Sequence, residues 1–331
     1  MKCPTCSHKH PKSAGFQCSK CGYQFVFDPA RDKIADNKFV VIMNKASANG
    51  TYHFTKGQFL SALCQKEYES PLFSFGCAIF TLCLIPLSFF ISAIMTKDMW
   101  ELGTPALVIG IPLSLFFVWL GRKHKYDPPP NMDRLNELIR RWKEEKGPIV
   151  GLIEEPNLHD PPPEWPEPDM YDYGVERILI VERDILVDWL VLNQMHAEWK
   201  TLIVAASGYP TYMVEHANRL LAERPDLPVF LLHDATEEGL LLESRIREEG
   251  LFHLAEHPVI DLGITPGEVE KMDRLKALKP EQSDYHLPVD MLPLLMLSTG
   301  ITAAMLQQTT LENLLMQSQS GADDAGTVGY G

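Results

Sequence analysis

Residues 175–184 read VERILIVERD, residues 201–210 read TLIVAASGYP, and residues 228–239 read PVFLLHDATEEG. Each stretch carries an unbroken apolar run that ends in a polar or glycine-containing turn. The segments between them return apolar residues at helical spacing. Continuous apolar strands alternating with helices mark a mainly parallel sheet covered on both faces. The pattern predicts strands at Ile178–Glu182, Thr201–Ala205, Val229–His233 and near Val259–Leu262. Helices are expected at Asp184–Met195 and Thr211–Ala222, then through Glu249 and again from Pro266. Such a sheet presents its functional groups at the carboxyl ends of its strands. Two acids stand there, Glu182 on the first strand and Asp234 after the third. If those strands are neighbours, the two carboxylates share a crevice and offer oxygen ligands to Mg²⁺. The plainer reading is that each caps the helix that follows.

Upstream, residues 156–168 hold six prolines in thirteen and read as a stiff linker. Before it, residues 131–146 (NMDRLNELIRRWKEEK) place Met132, Leu135, Leu138, Ile139 and Trp142 on one face of a helix that Asn131 can cap. That helix suits either a membrane interface or docking on a core. Two uncharged stretches precede it, Ser70–Thr96 and Leu102–Gly121, each long enough to cross a bilayer of ~30 Å as a helix. Arg122, Lys123 and Lys125 follow the second stretch, and positive charge marks the cytoplasmic side. These features predict an integral membrane protein of the bacterial inner membrane, with the lipid bilayer as partner and both termini cytoplasmic. The uncharged run Met291–Leu311 has the length of a third span, but a helix packed on the sheet or on a second copy of it is preferred. The last dozen residues read as disordered.

At the other end, Cys3, Cys6, Cys18 and Cys21 form C-x2-C-x11-C-x2-C, the spacing of a four-thiolate zinc site. Four sulfurs close the coordination sphere, so the zinc is expected to be structural, and reduced thiols fit a reducing compartment. Gly22 permits the tight turn after the second knuckle. Between the knuckles and the first uncharged stretch, Phe39–Met43 and Thr51–Phe54 read as short strands about a turn at Asn49-Gly50, and Gly57–Cys64 reads as a helix. The expected organisation is a zinc ribbon (1–25), a small α+β module (26–69), a transmembrane hairpin (70–121), an amphipathic helix and linker (122–173), an α/β domain (174–290) and a C-terminal helix and tail (291–331).

The chain of 331 residues carries a formal net charge of −14, unevenly spread. Residues 1–150 hold 19 Lys+Arg against 12 Asp+Glu, and residues 151–331 hold 11 against 32. The acidic half repels phosphate, which argues against general duplex-DNA binding through it.

Several dispersed segments carry a family resemblance: IVERD at 180–184, SGYP at Ser207–Pro210, PVFLLHDATEEG at Pro228–Gly239 and LGITPGEVEK at Leu262–Lys271. In this order they resemble the Toprim domain of topoisomerase VI A subunits and of the meiotic double-strand-break transesterases, over about a third of the chain. The resemblance implies a Mg²⁺ site built from a strand-end Glu and an Asp-x-Asp pair. Glu182 falls on the Glu and Asp234 on the first Asp. Thr236 falls on the second Asp, leaving Glu237 or Glu238 to supply a further oxygen. No segment resembles the winged-helix domain that carries the family's nucleophilic tyrosine. His253 and His257, at i and i+4, form a weaker pair with no third ligand apparent. Two functions follow. The first is a degenerate metal- or partner-binding assembly platform, engaging a protein partner or a second copy. The second is a Mg²⁺-dependent phosphodiesterase or nuclease in which Glu182 and Asp234 are catalytic.

Overall fold

A computed structural model describes residues 1–67, 111–112, 115, 131–160, 174–254, 257–265, 287–292 and 294–307. The chain divides into two units, Met1–Lys66 with Pro130–Gly331, and Glu67–Pro129. The fold described below is that of the first.

Its larger part is a parallel four-stranded sheet. The strands are β3 (Arg177–Val181), β4 (Thr201–Ala205), β5 (Val229–Leu232) and β6 (Val259–Asp261), in the order β4-β3-β5-β6. Val181 pairs with Ala205 on one side and Leu232 on the other, so the first and third apolar runs are neighbours at their carboxyl ends. Alternate residues face opposite ways, and both faces are covered. Leu179, Val181, Ile203, Ala205, Phe230 and Leu232 share one core with α4 (Asp184–Leu192) and α9 (Leu294–Gln307). Ile178, Ile180, Leu202, Val204, Val229 and Leu231 share the other with α6 (Thr211–Glu223) and α8 (Leu242–Glu249). Burial on both sides is why these strands read as unbroken apolar runs. The run after Met291 is the 14-residue helix α9, which buries Leu297, Ile301, Ala304 and Met305 against the first face.

The N-terminal part differs from its expected hairpin. Phe39–Met43 lies within a helix, α1 (Asp36–Ala46), not a strand. Phe39, Ile42 and Ala46 are buried at helical spacing, and this single buried face outweighs the β-propensity of Val40-Val41-Ile42. Phe54–Thr55 is a short strand (β1), but it pairs in parallel with Leu152–Ile153 (β2). The next helix, α2, spans Lys56–Glu67. The amphipathic helix α3 (Met132–Lys146) starts where Asn131 Oδ1 accepts the Arg134 amide at 2.9 Å, as expected. It buries Leu135, Leu138, Ile139 and Trp142, and docks on the core rather than on a membrane interface. Trp142 stands 4.9 Å from the Phe39 ring centroid and 6.1 Å from that of Phe27.

The expectation of an integral membrane protein does not stand. Among the described residues no helix is long and apolar enough to cross a membrane. The longest, α3, has 15 residues, about 22 Å at 1.5 Å per residue, and is heavily charged. The strongly apolar α9 has 14, about 21 Å, short of the ~30 Å of a bilayer core. The membrane-protein fold class with its transmembrane hairpin, and the inner-membrane location with cytoplasmic termini, are corrected on that finding. Absence of charge is a matter of composition, and it does not by itself make a helix of spanning length. Ser70–Thr96 and Leu102–Gly121 lie outside the described residues apart from Ile111, Pro112 and Leu115, as do residues 161–173, the segment from Pro266 to His286 and the tail beyond Gln307.

The aromatic cluster that seats α3 gives a direct test. Trp142→Ala removes a buried ring from between Phe27 and Phe39 and should cost about 3–5 kcal/mol. Amide hydrogen exchange should accelerate in α1 and α3, while α6, on the far face of the sheet, keeps its protection.

Candidate functional site

Two clusters of chemistry-bearing side chains stand out. The first is the cysteine set. Residues 1–25 form two knuckles, each a tight turn closed by one antiparallel bridge, Lys2 with Lys9 and Gln17 with Gln24. Ser7 (φ 58°) turns the first and Gly22 (φ 74°) the second, the position where the sequence calls for glycine. The knuckles bring Cys3, Cys6, Cys18 and Cys21 together, with all four sulfurs within 4.8 Å of one another. The Sγ atoms of Cys3 and Cys21 are 3.5 Å apart and those of Cys6 and Cys18 are 3.7 Å apart. They are close enough to hold a metal ion. Burial opposes ionisation of Cys18, but the amides of Lys20 and Cys21 and the Cys21 and Cys6 thiols outweigh it, lowering its pKa to about 6. Cys21 accepts the Tyr23 amide, yet burial and its three sulfur neighbours push it up to about 12. Four thiols this close cannot all ionise without a cation among them. His10 lies outside the set: its Nδ1 accepts the Ser19 amide and its Nε2 faces the Gly15 carbonyl at 3.0 Å.

The second cluster is at the carboxyl edge of the sheet. Glu182 and Asp234 are adjacent there, as the strand pattern predicts, but they do not face a common ligand. The Glu182 carboxylate accepts the Asp234 backbone amide at 2.8 Å. The Asp234 carboxylate holds Arg183. Nε lies 2.6 Å from Oδ2, an ion pair out of line for a hydrogen bond, and Nη2 donates to Oδ1 at 3.1 Å. The same Nη2 donates to Asp290 Oδ1 at 2.5 Å. Asp234 Oδ1 also accepts the Val289 amide at 2.8 Å, and Asp290 Oδ2 accepts the Thr55 hydroxyl at 2.6 Å. Burial is the largest influence on Asp234 and leaves its carboxyl above the usual range, although Arg183 and the Val289 amide pull the other way. The two carboxylates in turn hold the Arg183 guanidinium charged against its own burial.

Thr236, which the resemblance sets against the second Asp, accepts the Gly239 amide at 2.8 Å and so caps the short helix α7 (Glu237–Leu240). Glu237 and Glu238 are exposed in its first turn, where the helix dipole favours acids. Among the described residues, the four cysteines are the one group of three or more ligand side chains close enough for a metal. Glu182, Asp234 and Glu238 do not converge. As they stand they do not fit Mg²⁺, because a guanidinium already takes the Asp234 charge. His253 and His257 do not form a pair either: His257 is buried between the carbonyls of Leu227 and Leu221, and His253 is exposed. Tyr209 of SGYP donates to buried Asp188 at 2.6 Å and accepts the Leu158 amide, so it anchors the start of the proline-rich linker.

Sequence reasoning missed the partners of these acids. Arg183 lies inside IVERD, but its role depends on Asp290 and Thr55, remote in sequence. It also missed an ion pair beside the crevice. His233 is buried, its Nδ1 donating to the Asp234 carbonyl at 2.7 Å and its Nε2 facing both Asp261 oxygens at 3.1 and 3.2 Å. A Cβ on Gly263 or Gly239 would crowd this ring. Burial disfavours the imidazolium. The Asp261 carboxylate, the Asp234 carbonyl and the Glu182 charge outweigh it, and the His233 pKa is raised. The Asp261 carboxyl is held below its ordinary range by His233 and the Gly263 amide, against partial burial.

The signs of the two shifts define a window. A raised histidine stabilises fully below its unfolded value of ~6.5 and loses that contribution as pH rises through the folded value. A depressed carboxylate contributes above ~3.9 and loses it on acidification. The pair should therefore hold β6 most firmly between about pH 4 and 6.5. Asp261→Asn should move the His233 titration, followed by its ring proton resonances, to lower pH, and an unmoved titration would remove Asp261 as its cause.

No family model matches the chain, and neither do the curated proteins or the solved structures compared with it, so the chemistry rests on the geometry of these two clusters.

Proposed function

We propose that this chain is a zinc-stabilised binding platform whose α/β unit is a Toprim-like module without a working metal centre, engaging a protein partner or a second copy. The observation that carries the reading is Arg183. Its guanidinium lies between Asp234 and Asp290, where the resembling enzymes would place a divalent ion among carboxylates. Two further features support it. Thr236 is neutral and committed to capping α7. The surrounding half of the chain holds 32 Asp+Glu against 11 Lys+Arg, a poor surface for a polyanion.

For the cysteines, zinc is the ion we assign. Zn–S bonds of ~2.3 Å in a tetrahedron put sulfurs about 3.8 Å apart, close to the two distances observed. Four sulfurs leave no open position, so the ion is structural. The knuckles are stapled to the helices: Asp36 accepts the Tyr23 hydroxyl and the amides of Val26 and Phe27, and Lys146 Nζ stands 3.8 Å over the Tyr23 ring. Zinc binding therefore stabilises more than the ribbon.

The full-length chain should contain about one zinc per molecule by elemental analysis. Replacing Cys18 and Cys21 with Ser should release it and lower amide protection in α1. Under Mg²⁺ or Mn²⁺ the chain should leave single- and double-stranded DNA intact. Cleavage that disappears in Glu182→Gln would replace the platform reading with the enzyme one.

A further inference from the structure

In open α/β sheets, ligands enter the crevice outside the carboxyl ends of the strands. Here the chain's own residues 287–292 lie across it as a short strap, bridged at Leu287 and closed by one 3-10 turn at Val289–Met291. The Ala235 amide donates to the Leu287 carbonyl at 2.9 Å and the Leu287 amide returns to Ala235 at 3.4 Å, an antiparallel bridge at the end of β5. The Val289 amide is bound by Asp234. Leu287, Val289, Met291 and Leu292 are each at most 5% exposed. Between them Asp290 reaches Arg183 and Thr55, passing over Gly57, where a Cβ would overlap its carboxylate.

This arrangement has the parts of a peptide complex. Main-chain hydrogen bonds hold one end of the segment at a strand end, apolar side chains enter buried positions, and one charged group is read by a fork-shaped cation. Every receiving group belongs to a different stretch of chain from the strap: Thr55 and Gly57 from the N-terminal part, Arg183 after β3, Asp234 and Ala235 after β5. The groups that receive the strap are thus all supplied by other stretches of the chain.

We propose that this crevice is a peptide-binding site occupied in cis by residues 287–292, and that its ligand is a short segment of a partner protein that carries one acidic residue among apolar ones in a single 3-10 turn. The inference rests on the platform reading and names the ligand class of that module. A tethered segment competes at high effective concentration, so the unmodified chain keeps its site closed to dilute peptide. Weakening the cis contact at Asp290 opens it.

The test uses the full-length chain and a fluorescent peptide of residues 285–292, YHLPVDML, followed by anisotropy without added Mg²⁺. Asp290→Asn should bind this peptide at least about tenfold more tightly than the unmodified chain does. The same peptide with Asn for its Asp should lose the gain, and so should the double variant Asp290→Asn with Arg183→Gln. Val289→Ala, which trims a buried side chain of the strap and leaves the receiving groups intact, should give a smaller gain and serves where Asp290→Asn does not fold. A variant with unchanged circular dichroism and zinc content that binds no better than the unmodified chain would make the strap a fixed piece of core and overturn the proposal. Mg²⁺-dependent DNA cleavage would defeat the platform reading instead, and would leave the peptide result standing, so the two failures are distinguishable.

Discussion

One guanidinium holds the carboxyl edge of this molecule together. Arg183 leaves the end of β3, takes Asp234 from the end of β5 and Asp290 from the strap, and through Asp290 reaches Thr55 of the N-terminal part. Thr55 and Asp290 are 235 residues apart. Two carboxylates and a guanidinium withdrawn from water carry a large desolvation cost, which their mutual attraction offsets without necessarily exceeding it. What such a cluster supplies is direction. The planar fork accepts carboxylates only in certain orientations, so it fixes how three separate pieces of chain meet. Removing one partner leaves the others charged and buried, a loss of about 3–5 kcal/mol.

That bridge also decides the chemistry of the edge. A divalent ion needs carboxylates that point at one position with their charge uncommitted. Here Glu182 is spent on a backbone amide and Asp234 on Arg183, while the nearby His233–Asp261 pair consumes a further acid. The packing enforces these assignments. Gly57 makes room for the Asp290 carboxylate, and Gly239 and Gly263 make room for the His233 ring, each at a contact where a side chain would collide. The cysteine knuckles work in the opposite sense. Their sulfurs converge without an internal counter-charge, which is why they call for a metal and the sheet edge does not.

The legible parts of this fold are those whose signal is local. Five consecutive apolar residues at 202–206 or four at 229–232 have no other comfortable place than a sheet buried on both sides. Asn131 and the Leu135, Leu138, Ile139, Trp142 stripe determine α3, and C-x2-C twice determines the four-cysteine cluster. Phe39–Met43 was misleading because β-branched residues and a helical face coincide there, and only the buried partners Phe27, Phe59 and Trp142 choose between them. In the site, the positions of Glu182 and Asp234 follow from strand ends. Their occupation by Arg183 does not, because Asp290 arrives from a segment with no pattern of its own beyond two flanking prolines.

Charge balance at the edge limits what can bind there. Glu182, Asp234, Asp261 and Asp290 face the Arg183 guanidinium and the His233 imidazolium, four negative groups against two positive. A further anion added to this set meets net repulsion in a poorly solvated crevice, where each unpaired charge is costly. A metal cation meets attraction, but must first displace a guanidinium that is hydrogen-bonded on two sides. The substitution that leaves the balance unchanged is one carboxylate for another. The acidic side chain of the proposed partner segment would take the place of Asp290, keep Arg183 and Thr55 satisfied, and refill the apolar positions that Val289 and Met291 occupy. The electrostatics of the edge therefore agree with the ligand class proposed for it.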